Sequence, residues 1–577
     1  MNRLMVYRFP RAFSILAALV VVVGHVGRAS GAQPGAGTIA CDAAVETEAG
    51  FISGIDDPET EGVCAYRGVP YAAPPIGRRR WRAPERPLAW EGLRSGAEFG
   101  PRCMQKGVME IVNADPSGRM SEDCLTLNIW RPSEEGVYPV YVFFHGGGLY
   151  GGTANTPVYH GDRLSARGIV VVTVNYRLNI FGYLALEALA EEDSHGSTGN
   201  YGLLDQIASL RWVRDNIAAF GGDPDRVTIG GESAGGWSVC ALMTSPPAQG
   251  LFDQAIIESG GCHTATSMAR GIELGLRTAD ILGCDPDDLE CLRRAPARRV
   301  LRKAVRTELA GWEWMPRIDG YVLDRKPIEA IRAGEYGHVP LLAGTNRNEA
   351  DIAVNRYPLW RYATARAFER LLEDQFGPEE ARTVAELYLA DAKGKRRAAF
   401  SRIASENALI CPTVNGARAL AREQDEVWLY RFDYHGFRFG RLVGAFHGSE
   451  LGFVFGTFDR PFAALAVPRR RLADVRALSD EIQRYWSHFI RMGTPAVKGP
   501  SEWPTLAEGG AFRILGTHSR IASLDEATLD RCRYWDGFAD KHEWIAETMG
   551  LFGRKPGIRR SSRDASQSSV GTLIQKR

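Results

Sequence analysis

One short stretch of the chain has the residue types and spacing of a serine nucleophile. A β-branched run at 227–229 leads into Gly-Glu-Ser-Ala-Gly at 231–235, and a segment with helical character follows. In a nucleophile elbow the serine lies on a tight turn between a strand and a helix, so its hydroxyl projects from the carboxyl end of the sheet. Because the chain contains 63 glycines, the motif needs support from its surroundings. The hypothesis is that Ser233 is a nucleophile for acyl transfer.

A glycine-rich turn could stabilise the charge that this chemistry develops. Acyl transfer places negative charge on a carbonyl oxygen, and backbone N–H groups aimed at that oxygen stabilise it. His145-Gly146-Gly147-Gly148 follows the continuous apolar run 139–144, which is typical of a strand buried on both faces. We therefore predict an oxyanion hole formed by the N–H groups of Gly147, Gly148 and Ala234. The alternative is a flexible glycine loop with another purpose.

A base and an orienting acid complete such a site. His447 lies between small residues after the strand-like run 427–432, and Glu349 follows the run 339–343, between the serine and the histidine in chain order. In parallel sheets, catalytic loops lie just beyond the carboxyl ends of the strands. We therefore predict the set Ser233, Glu349 and His447. Considered singly, most of the 11 histidines would be solvated or structural, and most glutamates would be surface residues.

The order of the patterns indicates the fold class. Apolar runs at 169–174, 227–229, 255–257 and 427–432 alternate with helical periodicity, most clearly at 202–220 and 473–491. Strand and helix in turn predict an α/β fold with a mostly parallel central sheet flanked by helices. No internal repeat is present. The numbers of acidic and basic residues nearly balance, which gives a net charge of +1. The chain therefore lacks the excess of basic residues that is typical of nucleic-acid-binding domains.

The two termini differ in composition from the rest of the chain. Basic residues at 3, 8 and 11, an apolar run at 12–23 and small residues at 30–32 predict a secretory signal peptide over 1–32. The alternative is a membrane anchor, for which the apolar run is short. Residues 553–577 are rich in Arg and Ser, as in a disordered basic tail. Between them, 33–552 is expected to form one catalytic domain, secreted or periplasmic and without stable membrane insertion after signal removal.

The ten cysteines of an exported chain suggest disulfides. The spacing allows Cys103–Cys124, Cys284–Cys291, a long-range Cys411–Cys532 pair, and Cys41–Cys64 between N-terminal strands. Cys240 and Cys262 are left without an assigned pairing. Buried free thiols are the alternative for any of these residues.

The chain resembles the type-B carboxylesterases, the carboxylesterase/cholinesterase group of α/β-hydrolases, from about residue 44 to residue 538. The resemblance rests on an ordered set of motifs: Arg-Gly-Val-Pro-Tyr-Ala at 67–72, Ser-Glu-Asp-Cys-Leu-Thr-Leu-Asn at 121–128, the 146–148 glycines, Gly-Asn-Tyr-Gly-Leu-Leu-Asp-Gln at 199–206, Phe-Gly-Gly-Asp-Pro at 220–224 and Gly-Glu-Ser-Ala-Gly-Gly at 231–236. It implies the α/β-hydrolase fold, a Ser-His-Glu triad at Ser233, His447 and Glu349, and the oxyanion donors named above. It also implies three of the disulfides, Cys103–Cys124, Cys284–Cys291 and, less directly, Cys411–Cys532.

Two departures from the family pattern bear on the substrate. Cholinesterases carry a tryptophan for the choline cation in the loop closed by the first disulfide, whereas the loop between Cys103 and Cys124 here has no aromatic residue. A cation–π site for quaternary ammonium is therefore not expected, and so short a loop argues against a large lid. The segment 310–320 resembles the family's acyl pocket, in which Trp312 and Trp314 either narrow the acyl side or pack in the core.

The resulting hypothesis is a serine carboxylesterase that acts through an acyl-enzyme on small-molecule esters and requires no metal or cofactor. The alternatives are a non-catalytic adhesion or binding member of the fold, and an amidase or an esterase restricted to one natural product. The acyl and alcohol groups of the natural substrate are not indicated by the sequence. Neither is the oligomeric state, because no heptad pattern or dimer motif stands out.

Overall fold

A computed structural model describes residues 37–105, 115–307, 313–355, 362–389, 395–438, 440–460, 467–499 and 502–541. The predicted signal peptide, the predicted basic tail and Trp312 lie outside these residues. The described residues from Thr38 onward belong to one compact unit. Among the described residues, no helix has both the length and the apolar character needed to cross a membrane.

The strands in chain order are β1 Ala44–Thr47, β2 Gly50–Ser53, β3 Ile55–Asp56, β4 Val63–Pro70, β5 Leu93–Ser95, β6 Thr126–Pro132, β7 Tyr138–Phe144, β8 Val170–Val174, β9 Gly222–Glu232, β10 Gln254–Glu258, β11 Thr266–Ser267, β12 Arg317–Ile318, β13 Leu341–Asn346, β14 Val427–Phe432, β15 Ala511–Leu515 and β16 Arg520–Ser523.

The α-helices are α1 Asp162–Ser165, α2 Asn179–Tyr183, α3 Glu187–Glu191, α4 Tyr201–Asn216, α5 Ala234–Thr244, α6 Met268–Leu282, α7 Leu289–Arg294, α8 Ala297–Thr307, α9 Pro327–Arg332, α10 Asp351–Val354, α11 Ala365–Phe376, α12 Pro378–Leu389, α13 Arg396–Ser405, α14 Cys411–Leu420, α15 Gly440–Val443, α16 Leu451–Val454, α17 Leu472–Met492 and α18 Glu526–Lys541. A π-helical turn, Glu406–Ile410, joins α13 to α14.

The central sheet has 11 strands in the order β16-β15-β14-β13-β10-β9-β7-β8-β6-β4-β3. The seven strands from β15 to β8 are all parallel to their neighbours. The outer strands β16 at one side and β6, β4 and β3 at the other pair antiparallel. The predicted α/β fold with a mostly parallel sheet is therefore confirmed.

The sheet is covered on both faces because its central strands are apolar on both. Along β7, Val140, Val142 and Phe144 belong to one core cluster, whereas Tyr141 and Phe143 belong to the cluster on the opposite face. Successive side chains of a strand point to opposite faces, so a continuous apolar run fits this central position.

The long helix α17 covers one of these faces. Its buried side chains include Val475, Leu478, Ile482, Trp486 and Phe489, a spacing of three and four residues that places them on one side of the helix. The helix ends at Gly493, which has φ +72°, as is common for a glycine that follows a helix.

The bounds of several predicted elements differ from the structure, and two of them differ for reasons that the structure shows. The strand expected at 227–229 extends back to Gly222, which pairs with Tyr138 across an irregularity before Val140 pairs with Val227. The helix expected over 202–220 is α-helical only to Asn216 and closes with a 3₁₀ turn, Ile217–Phe220. Local turn residues indicate where a helix or strand ends. The start of β9 depends instead on its backbone pairing with β7, which the local sequence does not show.

The parallel core brings the ends of several strands to one edge. Phe144 at the end of β7 pairs with Gly231, and Glu232 at the end of β9 pairs with Glu258. Glu258 in turn pairs with Gly344 of β13. The segments that follow β7, β9, β10 and β13 therefore start side by side, at the carboxyl edge where α/β folds bind ligands.

Candidate active site

Ser233 lies on a sharp turn between β9 and α5. Its backbone has φ +58° and ψ −119°, a conformation that costs a non-glycine residue on the order of 1–3 kcal/mol. Two hydrogen bonds hold the turn, from the Ser233 N–H to the Glu258 carbonyl at 2.8 Å and from the Trp237 N–H to the Ser233 carbonyl at 3.0 Å. A Cβ on Gly235 would lie 1.9 Å from the carbonyl oxygen of Phe144, so only glycine fits there. This is the strand–turn–helix arrangement of a nucleophile elbow.

The glycine loop after β7 packs directly against this elbow. A Cβ on Gly146 would lie 3.1 Å from the Cβ of Ser233. The loop then turns through positive φ at Gly147 (+113°), Gly148 (+66°) and Leu149 (+64°). The N–H groups of Tyr150 and Gly151 both donate to the Gly147 carbonyl at 3.1 Å. Among the described residues, the hydrogen bonds of this turn use neither the N–H of Gly147 nor that of Gly148.

Glu349 and His447 meet at the same edge of the sheet. Nδ1 of His447 lies 2.7 Å from Oε2 of Glu349, and the Glu349 carboxylate is buried. Its other oxygen, Oε1, accepts hydrogen bonds from the Ser259 hydroxyl and the Asn346 N–H, both at 2.6 Å. Three donors fix this carboxylate, so it can hold the imidazole in one orientation.

Backbone pairing holds the loops that carry these two residues together. Asn348 forms an isolated parallel bridge with Phe446, and its N–H donates to the Ala445 carbonyl at 2.9 Å. The residues directly before Glu349 and His447 are thus joined, although they lie about a hundred positions apart in the chain.

The other imidazole nitrogen faces a carboxylate that sequence reasoning did not single out. Nε2 of His447 lies 3.2 Å from Oε1 of Glu232, the residue immediately before Ser233. Burial alone would lower the pKa of His447, but the charge of Glu232 and the hydrogen bond and charge of Glu349 outweigh it and raise the pKa. Burial also raises the pKa of Glu232 itself, which the imidazolium of His447 partly offsets.

Two further buried carboxylates lie at the same edge. Glu258 ends β10, and its Oε1 accepts a hydrogen bond from Nε1 of Trp486 at 2.8 Å, while burial raises its pKa to about 8. Glu450 follows His447 by three residues, accepts a hydrogen bond from the Asn346 side chain, and has its pKa raised by burial. The available sequence signal was that Glu232 and Glu258 each end an apolar strand.

The glycine loop is also held by Gln105, a residue close to the Cys103–Cys124 disulfide. Gln105 is buried two residues after Cys103, and its side chain makes two bonds to the backbone of Gly152: Oε1 accepts from the N–H at 2.9 Å and Nε2 donates to the carbonyl at 2.8 Å. The hydroxyl of Tyr176 donates to the His145 carbonyl at 2.6 Å. The loop between β7 and Gly152 is therefore held at both of its ends.

The structure pairs all ten cysteines. It contains Cys41–Cys64, Cys103–Cys124, Cys284–Cys291 and Cys411–Cys532, which are the pairs expected from the sequence. It also joins Cys240 of α5 to Cys262, for which the sequence indicated no pairing, and none of the ten cysteines is free.

The remaining predicted site residues are the two tryptophans of the segment that resembles the acyl pocket. Trp314 is completely buried, and its role as a substrate contact stays a prediction, as does that of Trp312. Within the described ranges, no group of three or more His, Cys, Asp or Glu is arranged to hold a metal ion.

A serine on a strand–turn–helix elbow, a glycine loop packed against it and a histidine bonded to a glutamate agree with the serine hydrolase expected from the sequence. The sequence model of the carboxylesterase family matches residues 41–535, and the chain belongs to this family. It has the α/β-hydrolase fold and is a carboxylic ester hydrolase.

Particular relatives share most of the chain. It is 34% identical over 487 residues to fumonisin B1 esterase of Sphingopyxis macrogoltabida, covering 82% of this chain and 86% of the relative. It is 36% identical over 475 residues to para-nitrobenzyl esterase of Bacillus subtilis strain 168, covering 80% and 92%. Among solved structures, the carboxylesterase EST55 of Geobacillus stearothermophilus at pH 6.2 matches with a TM-score of 0.73 at 34% identity, covering 85% of this chain and 99% of that one.

Proposed function

We propose that this esterase hydrolyses carboxylic esters through an acyl-enzyme on Ser233, with His447 as the base and Glu349 as its orienting acid. The observation that carries the proposal is the 2.7 Å contact between Nδ1 of His447 and Oε2 of Glu349. When the imidazole is neutral, a proton on Nδ1 bonded to Glu349 leaves the lone pair on Nε2, which is the tautomer that a general base needs.

The reaction then runs in two halves. His447 Nε2 takes the hydroxyl proton of Ser233 as the oxygen attacks the ester carbonyl, and the N–H groups of Gly147, Gly148 and Ala234 bind the oxyanion. The tetrahedral intermediate expels the alcohol, which receives the proton from His447. Water attacks the acyl-enzyme, gives a proton to His447 and releases the acid, while the proton returns to Ser233. Glu349 stays ionised and stabilises the imidazolium.

The non-catalytic alternative has less support, because the elbow, the histidine–glutamate contact and the glycine loop are all in place. The relatives are named for different esters, fumonisin B1 in one case and para-nitrobenzyl esters in another. We therefore propose small uncharged aryl and benzyl esters as a first substrate panel, with anilides beside them to detect amidase activity.

We also propose that the protein is exported, to the periplasm or beyond the cell. Five disulfides indicate an oxidising compartment, and the composition of residues 1–32 supports a cleaved signal. N-terminal sequencing of the protein from the fraction outside the cytoplasm tests this, and a mature chain that starts at Met1 would contradict it.

The test of the mechanism is Ser233→Ala with para-nitrophenyl acetate. We expect kcat to fall by about 10⁴-fold or more with the fold retained. Ser245→Ala is the matched control, because Ser245 is a buried serine just after α5 whose hydroxyl has no hydrogen-bond partner in the part of the chain that the structure describes. An organophosphate should label the wild type on the peptide that contains Ser233. Near-wild-type turnover in Ser233→Ala would end the proposal.

A further inference from the structure

The hydroxyl of Tyr150 connects the glycine loop to the segment that resembles the acyl pocket. Its oxygen accepts the backbone N–H of Glu313 at 2.6 Å and that of Trp314 at 3.0 Å. A phenolic oxygen can accept two hydrogen bonds. The hydroxyl oxygen of Tyr150 therefore accepts hydrogen bonds from two consecutive backbone N–H groups, which lie 163 and 164 residues further along the chain.

The ring belongs to the same turn as the candidate oxyanion donors. The N–H of Tyr150 donates to the Gly147 carbonyl, and Leu149 between Gly148 and Tyr150 is held at φ +64°. The Leu149 carbonyl is held as well, because it accepts a hydrogen bond from the Asn179 N–H at 2.7 Å. Because the turn has little freedom of its own, a displacement of the Tyr150 ring is transmitted to the glycines.

The other end of the contact is anchored independently of the glycine loop. The Glu313 carboxylate pairs with Arg270 of α6 at 2.7 Å. The backbone carbonyl of Glu313 accepts a hydrogen bond from the guanidinium of the completely buried Arg317 at 2.5 Å. The Arg317 N–H in turn donates to the Asn200 side chain at 2.8 Å. The segment Glu313–Trp314 therefore belongs to the α6 side of the molecule, and Tyr150 ties it to the glycine loop.

We propose that Tyr150 is a positioning residue that fixes the distance between the oxyanion donors and the segment at Glu313–Trp314, and thereby sets which acyl groups the enzyme accepts. The proposal rests on the proposed function, because it takes Gly147 and Gly148 as oxyanion donors. It assigns Tyr150 no contact with the reacting atoms.

Removal of the hydroxyl alone separates this role from a general effect on stability. Tyr150→Phe keeps the ring and leaves two backbone donors unpaired, so the acyl-side segment and the glycine loop can shift relative to each other. The effect should depend on the acyl group, because the segment at Glu313–Trp314 is the one that resembles the family's acyl pocket. It should not depend on the alcohol group.

The experiment compares two substrate series in Tyr150→Phe and wild type. The first varies the acyl group in para-nitrophenyl acetate, butyrate and benzoate, and the second varies the alcohol in a set of acetate esters. We expect the ratio of kcat/KM for benzoate to that for acetate to change by about tenfold, while all acetates change by one common factor. Active-site titration with an organophosphate restricts the rates to folded molecules.

Tyr176→Phe is the matched control. It also removes a hydroxyl that holds the glycine loop, through the His145 carbonyl, but in the structure its hydroxyl binds that carbonyl and not the Glu313–Trp314 backbone. We expect one common factor across both of its series. If Tyr150→Phe also gives one common factor across the acyl series, the proposal is overturned and the residue is merely structural. Full activity in Ser233→Ala would instead refute the proposed function, so the two failures are distinguishable.

Discussion

The imidazole of His447 lies between two carboxylates, with Nδ1 at 2.7 Å from Glu349 and Nε2 at 3.2 Å from Glu232. Glu349 accepts hydrogen bonds from Ser259 and Asn346 and so has a fixed orientation. In contrast, Oε1 of Glu232 has no hydrogen-bond partner among the described residues apart from this contact with the ring. Glu232 therefore acts on the histidine mainly through its charge.

The first prediction concerns the pH dependence of Glu232→Gln. The proposed base, His447, works only when its imidazole is neutral. The charge of Glu232 raises the pKa of His447, which moves the acidic limb of the rate profile to higher pH. Loss of that charge lowers the pKa of His447, so the acidic limb of kcat/KM should move to lower pH by about one unit. The pKa of His447 is raised to about 10, so profiles from pH 6 to 11 measure the shift.

The control for this prediction is Glu192→Gln, which removes a carboxylate at the surface, where Glu192 pairs with Arg293 and Arg82. Its profile should superimpose on that of the wild type. A Glu232→Gln profile with an unchanged acidic limb, or one displaced to higher pH, would show that Glu232 does not set the pKa of the base.

The second prediction concerns stability and Glu258. In the unfolded chain this carboxyl ionises near its usual pKa of 4.5, whereas burial raises its pKa to about 8 in the folded protein. The unfolded state therefore loses its proton first as the pH rises, and the free energy of unfolding falls between about pH 4.5 and 8. Glu258→Gln removes this loss and still offers an oxygen to Trp486. Its Tm should decline less than that of the wild type from pH 5 to 8, by about a few degrees.

Glu373→Gln on α11 is the matched control, since Glu373 is exposed. It should leave the slope of Tm against pH unchanged. A slope for Glu258→Gln equal to that of the wild type would mean that the folded protein accommodates an ionised Glu258 without cost.

The third prediction concerns Gln105 and the glycine loop. Gln105→Leu removes both bonds to the backbone of Gly152, so the proposed oxyanion donors Gly147 and Gly148 lose a support that lies outside their own turn. Because oxyanion contacts act mainly in the transition state, kcat should fall by about 10- to 100-fold with KM nearly unchanged. A trifluoromethyl ketone, which mimics the tetrahedral intermediate, should bind more weakly by a similar factor.

Gln424→Leu is the comparison, because Gln424 also bonds through both ends of its amide, to Val339 and Tyr336, away from the glycine loop. It should change Tm without a selective loss of kcat. If Gln105→Leu instead raises KM and leaves kcat intact, its role is in substrate binding and not in support of the donors.

The parts of the site that the sequence could predict are those encoded by local pattern. Ser233 follows directly from a strand, a Gly-x-Ser-x-Gly spacing and a helix, and the glycines at 146–148 follow from an apolar strand. The parallel sheet followed from continuous apolar runs such as that in β7, which cannot be placed at an exposed position without loss of buried area. Family resemblance then selected Glu349 and His447 among many similar residues.

The parts that could not be predicted depend on contacts between distant segments. Gln105 and Gly152 lie 47 positions apart, and the identity of neither residue indicates a partner. The Cys240–Cys262 bond requires α5 to pack beside the residues that follow β10, a close approach shown by Gly260, where a Cβ would lie 2.6 Å from the Cα of Gly236. Periodicity reports which face of an element is buried, but it does not report what that face touches.

The last prediction ranks two disulfides by the loops they close. Cys411–Cys532 spans 121 residues and joins α14 to α18 through two completely buried sulfurs, whereas Cys284–Cys291 spans 7 residues between half-buried ones. A cross-link stabilises by restricting the unfolded chain, and the restriction grows with loop length, so removal should cost about 5 kcal/mol for the first pair and about 2 kcal/mol for the second. Burial favours the same ranking, because loss of Cys411–Cys532 also disturbs the packing around Trp535. Urea unfolding of the two double Cys→Ser variants measures both, and equal midpoints would contradict the ranking.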